Sequence, residues 1–263
     1  MGVLNVTPDS FSDGGCFLDP AVAAAHALEM EAQGAQIIDI GAESTRPGAQ
    51  PVPVEEELRR ILPVLERLRG KLRAAISIDT SKSIVARAAL EAGAHIINDI
   101  TALAGDPAMA PLIAQSGAGV VLMHMQGNSQ TMQVAPHYVN ILEEVRDFFR
   151  QRADFALTCG IDLAQIAFDP GPGFGKTVEH NLALLQHLRE LLPALHAERP
   201  LLWAVSRKAF IAKILGEMNL EQRDANTATL TALGWERGAR IFRIHNVRAS
   251  ADALALTRAF LNA

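Results

Sequence analysis

A (β/α)8 barrel is the fold class this chain predicts, on three observations. Eight short β-rich apolar runs recur along it, helical patterns lie between them, and its 263 residues match the usual length of about 250 for that architecture. The runs are GVLNV (2–6), AQIIDI (35–40), AAISI (74–78), AHIIN (94–98), GVVLM (119–123), AQIAF (164–168), LLWAV (201–205) and ARIFRI (239–244). They are near-continuous rather than alternating, as burial on both faces of a parallel sheet requires. Eight strands alternating with eight helices, in one domain over residues 1–263, are therefore expected. An open doubly wound sheet is the rival, but no G-x-G-x-x-G follows the first strand and the chain does not divide into halves.

Taken in order, each run is followed by polar residues where a barrel carries its chemistry, at the C-terminal strand ends. The first run begins directly at Met1, so another element is expected to cover the barrel floor unless the N-terminus has been trimmed. It leads into NVTPDSFSDGG (5–15), which carries Asn5. The second leads into GAESTRPG (41–48), then into a helix whose EEE (55–57) sits in the first turn, where acids complement the dipole. After the third comes Asp79, with Thr80 or Ser81 available to cap a helix over 82–92, leaving the carboxylate to other uses. Asn98 and Asp99 end the fourth run. His124 ends the fifth, with Met123 and Met125 beside it as core or pocket wall.

The sixth run ends in DPGPGFGK (169–176). Gly171, Gly173 and Gly175 allow close approach of backbone to a flat ligand, and Pro170 and Pro172 stiffen the loop around Asp169. It is not a phosphate loop, since three residues rather than four separate Gly171 from Gly175-Lys176. His180 and His187 follow on a helix without ligand-spaced partners and read as solvent-facing. Ser206, Arg207 and Lys208 follow the seventh run and are expected to open a helix, and Arg243 and His245 share one side of the eighth. Trp203 and Trp235 read as packing residues.

Composition narrows the function classes. A chain with 49% apolar residues and a net charge of −5 can bury a large core and is poorly suited to nucleic acid. No apolar run reaches the length of a spanning helix, and no signal peptide opens the chain. Cys16 and Cys159 do not make a disulfide framework, so a reducing, cytoplasmic setting is expected. The cations after strands seven and eight need a local anion, in the place where barrels often hold phosphate. Asp79, Asn98 and Asp169 suit a cyclic guanidine-like edge with several N–H donors. A heterocycle and an anion would fit one rim.

These strings, in this order, resemble the dihydropteroate synthases, the pterin-binding folate-pathway enzymes that sulfonamides inhibit. The likeness runs from MGVLNVTPDSFSDGG through GAESTRPG, SIDTSK, HIINDI, LMHMQGN, DPGPGFGK and SRK to RIHN. It implies Mg2+-dependent attack of p-aminobenzoate on 6-hydroxymethyl-7,8-dihydropterin diphosphate, with loss of pyrophosphate. Carried over residue by residue, it implies that Asp79, Asn98, Asp169 and Lys208 hold the pterin, and that Asp79 also steadies the positive charge as the C–O bond ionises. It implies Thr45, Arg243 and His245 on the diphosphate, and Asn5 placing it with Mg2+. Lys208, Arg243 and His245 join Asp79 as the catalytic set. The p-aminobenzoate pocket would comprise Pro8, Phe11, Thr45, Arg46, Pro172, Phe174 and Ser206. A homodimer without nucleic-acid or membrane partners is also implied.

The chain departs from the family pattern at Ala42, Pro172, Ala204, Ala209 and Asn246. None of these removes an expected pterin or diphosphate ligand, but Pro172 and Ala209 fall near the expected p-aminobenzoate pocket. Two rival functions are a methyltetrahydrofolate-dependent methyltransferase and a non-catalytic pterin-binding barrel. The first has little use for SRK and the R-x-H cations. The second would tolerate loss of Asp79, Lys208 or Arg243, and all three are present.

Overall fold

Eight parallel strands form the inner wall: β1 (Gly2–Asn5), β2 (Ile37–Gly41), β3 (Ala75–Asp79), β4 (Ile96–Asp99), β5 (Gly119–Met123), β6 (Ile166–Asp169), β7 (Leu202–Trp203) and β8 (Ile241–Phe242). The computed structural model describes residues 1–7, 19–44, 49–128, 130–195, 199–261 and 263. β1 to β6 pair in sequence order and β7 pairs with β8. Two parallel bridges complete the ring, Phe168 with Leu201 and Gly2 with Ile244. Backbone bonds support both seams, Phe168 N–H donating to the Pro200 carbonyl at 3.1 Å and Val3 N–H to the Ile244 carbonyl at 3.0 Å. The expected barrel is the observed one.

The pleat divides its side chains between two cores. Leu4, Ile38, Ile40, Ile78, Ile97, Leu122, Phe168 and Trp203 point outward into the main core beneath the helices. Val121, Ala167, Leu202 and Ala204 pack in a second, interior cluster with Met1, Ile96 and Ile241. Such interior layers make the barrel a packed core rather than a pore. Above that floor the inward positions turn polar.

The helices are α1 (Pro20–Ala32), α2 (Val54–Leu68), α3 (Ser83–Glu91), α4 (Met109–Ser116), α5 (Ile141–Thr158), α6 (Val178–Gln186), α7 (Ala209–Leu215), α8 (Leu220–Glu236) and α9 (Val247–Leu261). Among the described residues there are nine, against eight expected, because two follow β7. Gly216 ends α7 at φ 84°, and the Asn219 side chain caps α8 by accepting from Gln222 N–H. Two local expectations also need correction, and a third, the acidic first turn of α2, holds but is incomplete. The helix after β3 begins at Ser83, and its N-terminal amide is capped from another element by Asp106 Oδ2 at 2.8 Å rather than by Thr80 or Ser81. Ser206-Arg207-Lys208 forms a turn before α7, with Arg207 at φ 58°. Glu57 does more than complement a dipole, being fully buried and 2.7 Å from Lys82 Nζ.

Candidate active site

The C-terminal strand ends open onto a cavity of about 800 Å3 bordered by Asn5, Asp79, Phe174, Lys208, Arg243 and His245, among others. Those residues come from β1, β3 and the segments after β6, β7 and β8, so the barrel gathers what the chain disperses. Asn98 and Asp169 are both buried at the strand ends and are not among the residues that border the cavity. Ser206 and Ala209 also border it, whereas Pro172 is buried within its loop and does not. Pro8, Phe11, Thr45 and Arg46 lie outside the described residues.

Arg243 organises the acidic side. Its Nε donates to Asp39 Oδ2 at 2.6 Å and its Nη2 to Asp79 Oδ2 at 2.8 Å. The same Asp39 oxygen accepts from Asn98 Nδ2 at 3.1 Å. Asp39 is fully buried, and its other oxygen, Oδ1, has no hydrogen-bond partner among the described residues. Sequence reasoning missed this residue. The available signal was a charged side chain in the middle of the apolar run AQIIDI, where burial without a partner is costly.

The expected separation of acids from bases across the mouth is therefore only partial. Arg243 lies among the acids, and Arg207 is held away from them by a two-bond pair to Asp224, at 2.6 and 2.9 Å. Lys208 meets the expectation better: its ammonium stands 4.0 Å above the Phe174 ring, close enough to Asp169 to favour that carboxylate's charged form. Ser206 Oγ and His245 Nδ1 are 2.8 Å apart, and the same hydroxyl accepts from His245 N–H at 3.0 Å. Asn246, one of the departures, bonds Asp224 through Nδ2 at 3.1 Å and caps α9 through Oδ1.

Burial sets the protonation of the site. It pushes Asp79 up to about 7, reinforced by the Asp39 charge and opposed by Arg243. It pushes Asp169 up to about 6, against the Gly171 N–H bond and the charges of Lys208, Lys176 and Arg243. Arg243 is raised by its two carboxylates and stays cationic. One fixed cation thus faces two carboxylates, one of which titrates near neutrality.

The DPGPGFGK loop keeps its shape through its glycines. A Cβ on Gly171, at φ 63°, would stand 2.0 Å from the His124 carbonyl oxygen. Asp169 Oδ1 accepts from Gly171 N–H at 2.7 Å. His180 is not solvent-facing as expected: it is partly buried, forms a reciprocal capping box with Thr177 and stacks edge-on against Tyr138 at 4.9 Å.

Among the described residues no group of three His, Cys, Asp or Glu side chains could hold a metal. Mg2+ does not need one, since it commonly keeps several waters and shares substrate phosphates with one or two protein oxygens. Asn5 Oδ1 and Asp79 Oδ2 both flank the bare Cα of Gly41, each 3.7 Å from where its Cβ would stand. A hard oxygen donor at the mouth therefore fits a diphosphate-borne Mg2+.

A pterin binding enzyme family model matches residues 1–245. The chain is 44% identical over 269 residues to dihydropteroate synthase of Mycobacterium leprae, covering all of this chain and 93% of that one. It superposes on the Yersinia pestis dihydropteroate synthase in a sulfonamide drug complex with a TM-score of 0.95 at 41% identity, covering all of this chain and 94% of that one. The Xanthomonas albilineans dihydropteroate synthase in complex with 7,8-dihydropteroate matches with a TM-score of 0.87 at 41% identity, again over all of this chain and 93% of that one. With the barrel, the buried acid cluster and the cationic rim already in place, these full-length likenesses show that the chain belongs to the dihydropteroate synthases, within the pterin binding enzymes.

Proposed function

We propose that this chain joins p-aminobenzoate to the methylene carbon of 6-hydroxymethyl-7,8-dihydropterin diphosphate, giving 7,8-dihydropteroate and pyrophosphate. The single observation that carries the reading is the Asp39–Arg243–Asp79 arrangement opening onto the same cavity as Lys208 and Phe174. It supplies acceptors for a flat N–H-rich ring and cations for a departing polyanion. Asp79, Asn98, Asp169 and Lys208 hold the pterin; Thr45, Arg243 and His245 hold the diphosphate; Asn5 would hold Mg2+. Pro8, Phe11, Thr45, Arg46, Phe174 and Ser206 form the aryl-amine pocket, with Pro172 shaping it from within the loop.

Chemistry follows from charge placement. The bond between the methylene carbon and the diphosphate oxygen breaks, and its electron pair leaves with the diphosphate. The pterin carbon then carries positive charge, which ionised Asp79 steadies. The aryl nitrogen lone pair forms the new C–N bond, and the nitrogen loses one proton to solvent or to the departing diphosphate. An aryl amine has that lone pair available at neutral pH, so no strong base is required. Mg2+, when bound, supplies charge neutralisation for the leaving diphosphate. The protein's part is to hold opposite charges in fixed places before ionisation begins.

The same reading makes the chain one catalytic domain acting in the cytoplasm as a homodimer. No helix among the described residues is long and apolar enough to cross a membrane. A coupled assay with pterin diphosphate, p-aminobenzoate and Mg2+ tests the reaction. Pyrophosphate release that depends on p-aminobenzoate is expected. Methyl transfer from methyltetrahydrofolate without pyrophosphate release would replace this reading with the methyltransferase one.

A further inference from the structure

Lys176 has no part in the roles above, yet it borders the cavity while only 3% exposed. An ammonium has three donors, and here each meets an acceptor: His124 Nδ1 at 2.9 Å, the His124 carbonyl at 3.3 Å and the Phe174 carbonyl at 2.9 Å. Burial and the Lys176 charge push His124 down to about 2, so its ring is neutral and accepts at Nδ1 as the Nε2–H tautomer. Burial also lowers Lys176, to about 7, while Asp169 pulls it back up.

These bonds join the end of β5 to the loop after β6. Other contacts hold the same loop: Tyr138 Oη–H donates to the Gly175 carbonyl at 2.8 Å, and Gly173 N–H donates to Asn181 Oδ1 at 2.8 Å. The loop places the Phe174 ring at the cavity border, where it is buried, packs with Met123 and Met132 and carries Lys208 over its face. An apolar side chain of similar volume would fill this place without the desolvation cost of a charge. A buried lysine here therefore points to the site rather than to the core.

We propose that Lys176 is a positioning residue for the aryl-amine half of the site. By drawing the Phe174 and His124 carbonyls onto one ammonium, it fixes the Phe174 ring and, through it, Lys208. This rests on the reaction proposed above, with p-aminobenzoate packing beside Phe174.

Lys176→Met keeps the stem and deletes the donors. In the pyrophosphate assay it is expected to raise KM for p-aminobenzoate about tenfold, while KM for pterin diphosphate, reached only through the Lys176 charge on Asp169, rises several-fold less. His124→Phe keeps a ring edge-on to Phe148, now 4.9 Å away, and removes one acceptor. It should move the p-aminobenzoate KM about threefold in the same direction, and it carries the test should Lys176→Met not fold. Equal rises in both KM values, or a fall in kcat with neither KM changed, would confine Lys176 to a structural role and overturn the proposal. A wild-type chain that releases no pyrophosphate would refute the reaction itself, and the aryl-amine role with it.

Discussion

Asp39 and Arg243 lie 204 positions apart in the chain and meet inside the barrel, Nε to Oδ2, at 2.6 Å. That contact ties the second strand to the end of the eighth and places a permanent cation between two buried carboxylates. Asp39 also holds the Asn98 amide. Three of the residues expected to meet ligands therefore depend on a fourth that meets none.

Asp39→Asn should move the acid limb of activity. The Asp39 charge helps hold Asp79 above the usual carboxylate range, so removing it lets Asp79 ionise at lower pH. In a kcat/KM–pH profile, which reports the free protein's groups, the acid limb is expected about one pH unit below that of wild type. An unmoved limb would mean that Asp39 does not act on Asp79.

Arg243→Ala should move the same limb the other way. With the guanidinium gone, Asp39 and Asp79 share the site without the cation that bonds both, and Asp79 keeps its proton to higher pH. Loss of a diphosphate contact should also raise KM for the pterin diphosphate between about 10- and 100-fold. Steady-state kinetics across pH 6 to 9 separate the two effects, and an unchanged KM would remove Arg243 from the diphosphate site.

Asp169→Asn should stabilise the fold, but only where the wild-type carboxylate is charged. Burial raises its folded pKa to about 6 from an ordinary 3.8. The unfolded chain therefore gives up this proton first, and the advantage of the protonated form is lost as pH rises from about 4 through about 6. Ionisation costs the fold on the order of 3 kcal/mol. Melting curves are expected to coincide at pH 4 and to show the variant several degrees higher at pH 8. Coincident curves at both pH values would show that Asp169 is not strained by its burial.

Gly171→Ala should be costly and Gly93→Ala mild. Both have positive φ, at 63° and 106°, but a Cβ on Gly171 meets the His124 carbonyl at 2.0 Å while one on Gly93 meets nothing within 4 Å. Backbone strain alone costs about 1 kcal/mol, and the clash should bring Gly171→Ala to about 3 kcal/mol or more. Denaturant midpoints for the two variants check the difference.

Much of the fold was legible because strand order and burial in a parallel barrel follow from apolar runs of regular spacing. The nine-helix count was not, since it turned on Gly216 breaking one helix and Asn219 starting the next within a single segment. Asp79, Arg243 and Lys208 could be placed on one rim from their position after strands. Their pairing could not, because it runs through Asp39, whose inward direction is set by the pleat. Lys176 stood in a quoted motif, but two of its three acceptors belong to His124, which only the pairing of β5 with β6 brings beside it. His180 misread in part for a similar reason: its Tyr138 neighbour is tertiary, although its capping box with Thr177, three residues before it, is local and was open to a reading of the T-x-x-H spacing.

The most direct measurement is the pH profile of kcat and of kcat/KM for Asp79→Asn beside wild type. Wild-type kcat/KM, which reports the free protein's groups, should rise through about pH 7 as Asp79 ionises. The variant should be slower by about two to three orders of magnitude and should lose that limb, with KM for pterin diphosphate changed far less. A variant that keeps wild-type kcat, or keeps the limb near pH 7, would contradict the role of a buried carboxylate as counter-charge to the ionising pterin.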